Sequence, residues 1–181
     1  DPLDGTLNYA HGLRYYCTTI AYARAGQLRL GVIYSPREEE CFTAELGKGA
    51  HLNGKPVFVS PAEKLEDSLL ATGFRATLID TPRSNYGNFL RLSRIAQGVR
   101  RLGSAAMDLA YVACGRLEGF WDIQLNPWDV AAGVLMVREA GGIAETLYGE
   151  GSLLCSPVDI LASNQPIFSP LQAILNAERE R

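Results

Sequence analysis

The chain is 181 residues long, 47% hydrophobic and 20% charged, with a formal net charge of −3. That mixture is the ordinary one of folded proteins and excludes a disordered chain, and it holds enough apolar material for a sizeable core. No apolar run approaches the roughly 18 residues of a membrane span, no signal-peptide pattern opens the sequence, and no basic face suited to nucleic acid is visible. A cytoplasmic protein with neither membrane nor nucleic-acid partner is therefore expected. Four scattered cysteines (Cys17, Cys41, Cys114, Cys155) and two histidines (His11, His51) fit no zinc spacing, which predicts reduced and mostly buried thiols.

The chain opens on Asp1-Pro2-Leu3-Asp4-Gly5-Thr6-Leu7-Asn8. Two carboxylates three residues apart, with proline fixing the backbone between them, suit a hard divalent cation. The Leu3 carbonyl could add a further oxygen ligand, and Gly5 and Thr6 could turn N–H groups toward an anion if a helix starts there. The residues alone leave open a plainer reading, an Asx-type turn in which Asp4 caps a helix.

From about residue 14 to 60 the texture is antiparallel β. Strands are predicted at 16–23, 28–34 and 40–45, and Asn53-Gly54 marks a hairpin between His51-Leu52 and Pro56-Val57-Phe58. After Pro61, strands and helices alternate. Strands are expected at 68–72, 118–123, 143–147 and 160–163. Helices are expected at 83–97, 105–114, 127–140 and 166–181, the third with proline in its first turn and Gly141-Gly142 past its end. The fold class is α/β (α+β), divided into an N-terminal α+β portion over 1–62 and a C-terminal α/β portion over 63–181.

A second acidic candidate lies in Asn126-Pro127-Trp128-Asp129. Asp129 belongs to the first turn of a helix, where the macrodipole favours a carboxylate in any case. The functional reading is that the helix start holds Asp129 facing Asp1 and Asp4 across a cleft, with Trp128 packed beneath as core. Asp122, at the end of the preceding strand, could offer a carboxylate to substrate hydroxyls in the same cleft.

Taken together, Asp1 through Asn8 and Trp128-Asp129-Val130-Ala131-Ala132-Gly133 resemble the two signature motifs of the inositol monophosphatase family of magnesium-dependent phosphatases. Leu102-Gly103-Ser104-Ala105-Ala106 is similar to its substrate-contacting loop, and Ala162-Ser163-Asn164 to its closing strand. The resemblance implies a layered α-β-α-β-α sandwich of the inositol monophosphatase/fructose bisphosphatase type. It also implies Mg²⁺ held by Asp1, the Leu3 carbonyl, Asp4 and Asp129, with Asp4 and Thr6 in catalysis and the Thr6 hydroxyl orienting the attacking water. Substrate contacts fall on Leu3, Gly5, Thr6, Gly103, Ser104, Ala105, Asp122 and Asp129. Arg75, in the stretch Thr72-Gly73-Phe74-Arg75 where relatives place further contacts, receives no role.

The implied reaction is hydrolysis of the phosphate monoester of a small polyol, inositol 1-phosphate by default, by metal-activated water in a homodimer. Relatives act on histidinol phosphate, fructose 1,6-bisphosphate or 3′-phosphoadenosine 5′-phosphate. Asp122 stands where relatives often carry the longer glutamate, which leaves the polyol open. With Arg100 and Arg101 expected on the surface beside a strand, no basic cluster is available for a second phosphate, and a monophosphate is favoured. The family's N-terminal helical region, with its metal-binding glutamate and water-activating acid, lies outside these 181 residues. The alternative expectation is accordingly a non-catalytic fragment or regulatory module that keeps the phosphatase fold, with an apolar sheet face left bare.

Overall fold

The computed structural model of the chain describes residues 1–78, 81 and 84–177. Strands β1 (Thr18–Arg24), β2 (Gln27–Ser35), β3 (Glu40–Glu45), β4 (Ala50–Leu52) and β5 (Lys55–Val57) form one antiparallel meander. Their β-branched and aromatic residues suit a pleated surface with one buried face. Leu52 pairs with Lys55 across the Asn53-Gly54 turn, as the hairpin signal requires.

The second sheet has the order β7-β6-β8-β10-β9, with β6 (Leu69–Thr72), β7 (Gly98–Arg100), β8 (Gly119–Leu125), β9 (Ile143–Thr146) and β10 (Val158–Ser163). Strand β6 runs parallel to both β7 and β8, while β10 is antiparallel to β8 and β9. The helices are α1 (Thr6–Ala10), α2 (Tyr86–Leu92), α3 (Ala105–Ala113), α4 (Pro127–Glu139) and α5 (Gln165–Asn176).

Helices α3 and α4 lie between the two sheets. Every residue of α4 from Asp129 to Val137 is buried, as a helix covered on both sides must be. One core joins Ile33 and Phe42 of the first sheet to Leu109, Val134 and Phe120. A second core, on the far face of the second sheet, packs Leu70, Trp121 and Leu161 against Leu92 of α2 and Leu171 of α5. The described residues thus stack as sheet, helices, sheet, helices. The outer face of the first sheet carries exposed Ile20, Tyr22, Leu30 and Tyr34. Among the described residues no helix is long and apolar enough to cross a membrane.

Three expectations are corrected. The helix predicted over 83–97 is α2, seven residues long; Arg83 lies outside the described residues. Beyond Leu92 the backbone turns, the Gln97 N–H donates to the Ser68 carbonyl at 3.0 Å, and 98–100 pairs with β6. The open edge of β6 outweighs local helical periodicity there. Trp128 is 57% exposed and not core, because the second position of α4 faces outward, into a groove it shares with Pro2 and Ile20. The thiols are free but not mostly buried: Cys17 is buried, Cys41 and Cys114 are half-buried and Cys155 is exposed.

Candidate active site

The opening segment lies antiparallel to the start of β1. The Thr19 N–H donates to the Asp1 carbonyl at 2.9 Å, the Asp4 N–H to the Cys17 carbonyl at 2.9 Å, and the Cys17 N–H to the Asp4 carbonyl at 3.0 Å. The chain then enters α1 through Gly5, whose φ of 83° lies in the left-handed region. A Cβ at Gly5 would sit 2.9 Å from the Tyr15 carbonyl oxygen, so both the conformation and the space demand glycine. Asn8, the last residue of the motif, donates from Nδ2 to the carbonyls of Tyr15 (2.7 Å) and Leu102 (2.8 Å), which pins the loop before α3 against α1.

Asp4 caps no helix of its own segment; Gly5 is the residue at the start of α1. Its carboxylate reaches α3 instead, where Oδ2 accepts from the Ser104 Oγ at 2.7 Å and from the Ala106 N–H at 2.8 Å. Burial pushes the Asp4 carboxyl above its usual range, the Ser104 and Ala106 bonds oppose this, and Asp129 adds to the rise. Asp129 is fixed in a comparable way, with Oδ2 accepting from the Asn126 N–H at 2.8 Å in a capping box. Each carboxylate therefore ties one oxygen to a helix start. No ion pair reaches either of them from the described residues.

Asp122 lies in the middle of β8, not at its end, and is buried. Its Oδ1 accepts from the Ile123 N–H at 2.7 Å. Burial pushes its carboxyl up to about 7, against the nearby Arg75 and Arg101 charges, with Asp129 adding to the rise. Its Oδ2 occupies the space that a Cβ of Gly73 would fill, so Gly73 allows the approach. A buried amide holds that backbone: Asn85 Nδ2 donates to the Thr72 Oγ1 (2.7 Å) and the Gly73 carbonyl (2.9 Å), and Trp121 Nε1 donates to the Asn85 Oδ1 (2.6 Å).

These groups line one cleft of about 390 Å³, within the range of small-ligand pockets. All the residues selected from sequence lie on it: Asp1, Leu3, Asp4, Gly5, Thr6, Gly103, Ser104, Ala105, Asp122 and Asp129. Arg75 lies on it too. So does Arg101, which is exposed but is not the simple surface residue expected beside a strand. Asp108 is a further cleft residue that sequence reading missed. It sits fully enclosed in α3, where Tyr15 Oη donates to its Oδ1 at 2.8 Å, and burial pushes its carboxyl well above the usual range.

Among the described residues, no three His, Cys, Asp or Glu side chains are grouped so as to hold a metal ion by themselves. Asp1 turns its Oδ1 back to the Leu3 N–H at 2.8 Å. The donors offered to the cleft are carboxyl and carbonyl oxygens, and no cationic side chain among the described residues pairs with Asp4 or Asp129. That chemistry fits a hard divalent cation completed by ligand and water oxygens.

The sequence profile of the inositol monophosphatase family matches residues 1–180. The chain belongs to the inositol monophosphatase family. Over 182 aligned residues it is 45% identical to the inositol-1-monophosphatase of Synechocystis sp., covering 98% of this chain and 61% of that protein. It is 42% identical over 175 residues to the Nus factor SuhB of Pseudomonas aeruginosa, covering 94% of this chain and 64% of that one. The solved structure of inositol monophosphatase from Anabaena superposes with a TM-score of 0.91 at 43% identity, over 98% of this chain and 70% of its own. The chain thus spans less than two thirds of the length of these curated relatives and shares the layered fold of the family.

Proposed function

We propose that the polypeptide carrying this chain hydrolyses phosphate monoesters of small polyols in a Mg²⁺-dependent reaction, with inositol 1-phosphate as the reference substrate. One observation carries the reading: Asp4 and Asp129, from segments more than a hundred residues apart, bring their carboxyl groups to the cleft that also holds Thr6, with no ion pair to either from the described residues. The 45% identity to a relative named inositol-1-monophosphatase supports it.

Asp1, the Leu3 carbonyl, Asp4 and Asp129 would hold the metal, which supplies positive charge beside the phosphate and acidifies a water. The chain's own part is positional. Ser104 and Ala106 fix Asp4, and Asn126 fixes Asp129, so neither must be reoriented when the ester binds. The first N–H groups of α1, from Thr6 onward, have no helical acceptor and can bind phosphate oxygens while the Thr6 hydroxyl orients water. Asp122 and the turn Gly103-Ser104-Ala105 take the hydroxyls of the leaving polyol. The reading extends to a cytoplasmic homodimer.

Phosphate release from inositol 1-phosphate, titrated with Mg²⁺, tests it. Asp129→Asn should lower kcat/KM on the order of 10³-fold, about 4 kcal/mol of transition-state stabilisation. Absence of release from any polyol phosphate at any Mg²⁺ concentration would leave the second reading, a binding module on the phosphatase fold. The relatives named Nus factor favour that one.

A further inference from the structure

Asp108 is a cleft residue to which the phosphatase chemistry gives no task. It stands one turn into α3, its N–H donating to the Ser104 carbonyl at 2.9 Å. Side chains of a helix lean toward its N-terminus, so Asp108 lies under the first turn, where Ser104 and Ala105 line the cleft. Tyr15 Oη donates to its Oδ1 at 2.8 Å. Its Oδ2 has no hydrogen-bond partner among the described residues, yet it is not sealed off. The buried polar side-chain atoms without a partner there are Ser35 Oγ and Asn176 Oδ1. The 2% of Asp108 that stays exposed therefore opens at Oδ2, onto the floor of the cleft that it lines together with Asp122 and Leu125.

The groups that act on Asp108 are Tyr15, Asp4 and Asp122, with Cys17 also sensing its charge, and none of them is cationic. An enclosed carboxylate with one phenolic donor and no counter-charge costs far more than a neutral acid. Burial accordingly holds the Asp108 carboxyl well above its usual range, against the Tyr15 bond. The acid keeps its proton, and because Oδ1 accepts from Tyr15 the proton sits on Oδ2. Asp108 thus turns an O–H donor toward the cleft. On the neighbouring strand β8, Asp122 has its Oδ1 bound to the Ile123 N–H, which leaves Oδ2 to accept. A donor and an acceptor that share one cleft suit a hydroxyl group, which accepts and donates at once.

Resting on the phosphatase reading of the cleft, we infer that Asp108 determines specificity for the leaving alcohol: it donates from Oδ2 to the oxygen of a polyol hydroxyl whose own proton goes to Asp122. Tyr15 is its positioning residue, since the phenol fixes which oxygen faces the ligand as the donor. A leaving group that lacks this hydroxyl strands two enclosed polar groups at once. A site built to hydrogen-bond a hydroxyl rejects the analogue without it far more strongly than an apolar pocket rejects a missing methylene.

The test uses a matched pair of ligands that cannot be hydrolysed, inositol 1-phosphonate and cyclohexylphosphonate, the same ring without its hydroxyls, titrated calorimetrically with Mg²⁺ present. The inositol ligand should bind at least about thirtyfold more tightly. Asp108→Leu should cut that ratio about tenfold or more by weakening the inositol ligand alone, a selective loss that a purely structural role would not give. Asp108→Asn, whose amide can still accept from Tyr15 and donate to the cleft, should restore the ratio to within about threefold of the wild type. Tyr15→Phe should lower it several-fold, and decides the matter if Asp108→Leu does not fold. A ratio near one in the wild type overturns the inference. So does a ratio left intact by the folded variants, or a loss in Asp108→Asn as large as in Asp108→Leu, which would make the group an ionised acceptor. Phosphate release from inositol 1-phosphate, measured on the same protein, reports on the phosphatase reading separately. Failure of release would sink that reading without altering the ratio of dissociation constants.

Discussion

Replacing Gly73 by alanine puts a methyl group where the Asp122 carboxylate lies. The new Cβ would stand 2.8 Å from the Asp122 Cγ and 3.2 Å from Oδ1, with Oδ2 closer still. Ordinary carbon contacts begin at about 3.5 Å, so the carboxyl group must turn away. The backbone cannot retreat cheaply, because the Gly73 carbonyl and the Thr72 hydroxyl are both held by Asn85. Turning the carboxyl group breaks its 2.7 Å bond from the Ile123 N–H, a cost of about 1–3 kcal/mol for the buried N–H left without a partner. A strained rotamer adds roughly 0.5–1.5 kcal/mol. Against this, Gly→Ala at a compatible backbone position gains about 0.4–1 kcal/mol through the unfolded chain. The net expectation is a destabilisation of about 0.5–4 kcal/mol, centred near 2. Urea unfolding of the wild type, Gly73→Ala, Asp122→Ala and the double variant closes a thermodynamic cycle. In the Asp122→Ala background, Gly73→Ala should be neutral or slightly stabilising. An equal cost in both backgrounds would refute the collision as its cause.

Asp122 also makes stability depend on pH. Its folded carboxyl titrates near 7 against a usual 3.8, so the fold favours the neutral acid. That contribution is complete below about pH 4 and is lost as pH rises through 7, amounting to a few kcal/mol at about 1.4 kcal/mol per unit. Asp122→Asn should accordingly melt above the wild type at pH 8 and level with it at pH 4; a gap that ignores pH would count against the buried carboxylate. Ser104→Ala removes a donor to Asp4 and a side-chain acceptor for the Met107 N–H. It should cost about 1–2 kcal/mol in denaturation and weaken Mg²⁺ binding most at acid pH, because the lost bond is one that holds the Asp4 carboxyl down. Unchanged calorimetric affinity across pH would show that Ser104 does not support Asp4. Tyr15→Phe strips Asp108 of its one side-chain donor among the described residues and should lower stability by about 1–3 kcal/mol. Tyr15→Phe in an Asp108→Ala background should then cost far less.

The acids in the two motifs of this site were legible because each stands in a local pattern: Asp1 and Asp4 in a metal-and-phosphate motif, Asp129 behind Asn126-Pro127. The strands of the first sheet were legible for a similar reason, since alternation and the Asn53-Gly54 turn are short-range signals. What escaped depended on partners distant in the chain. Arg101 reaches the cleft only because 98–100 pairs with 69–71, whereas its own neighbourhood suggests the tail of a helix. Asp108 hides in an apolar helix, and its donor Tyr15 is 93 residues away. Gly73 looks like any loop glycine until β8 brings Asp122 against it. Trp128, apolar and next to a motif residue, invites a core assignment that the geometry of one helical turn reverses.

The carboxylates of Asp4 and Asp129 each bind a helix start with one oxygen, Asp4 at α3 and Asp129 at its own α4. The acids assigned to chemistry thus serve as rivets of the architecture as well. Natural selection on folding alone would retain them even in a descendant that had lost turnover. Across such descendants, survival of both signature motifs would record the upkeep of the scaffold, and the cleft residues with no such second duty, Arg75 and Arg101 among them, would be the first to drift.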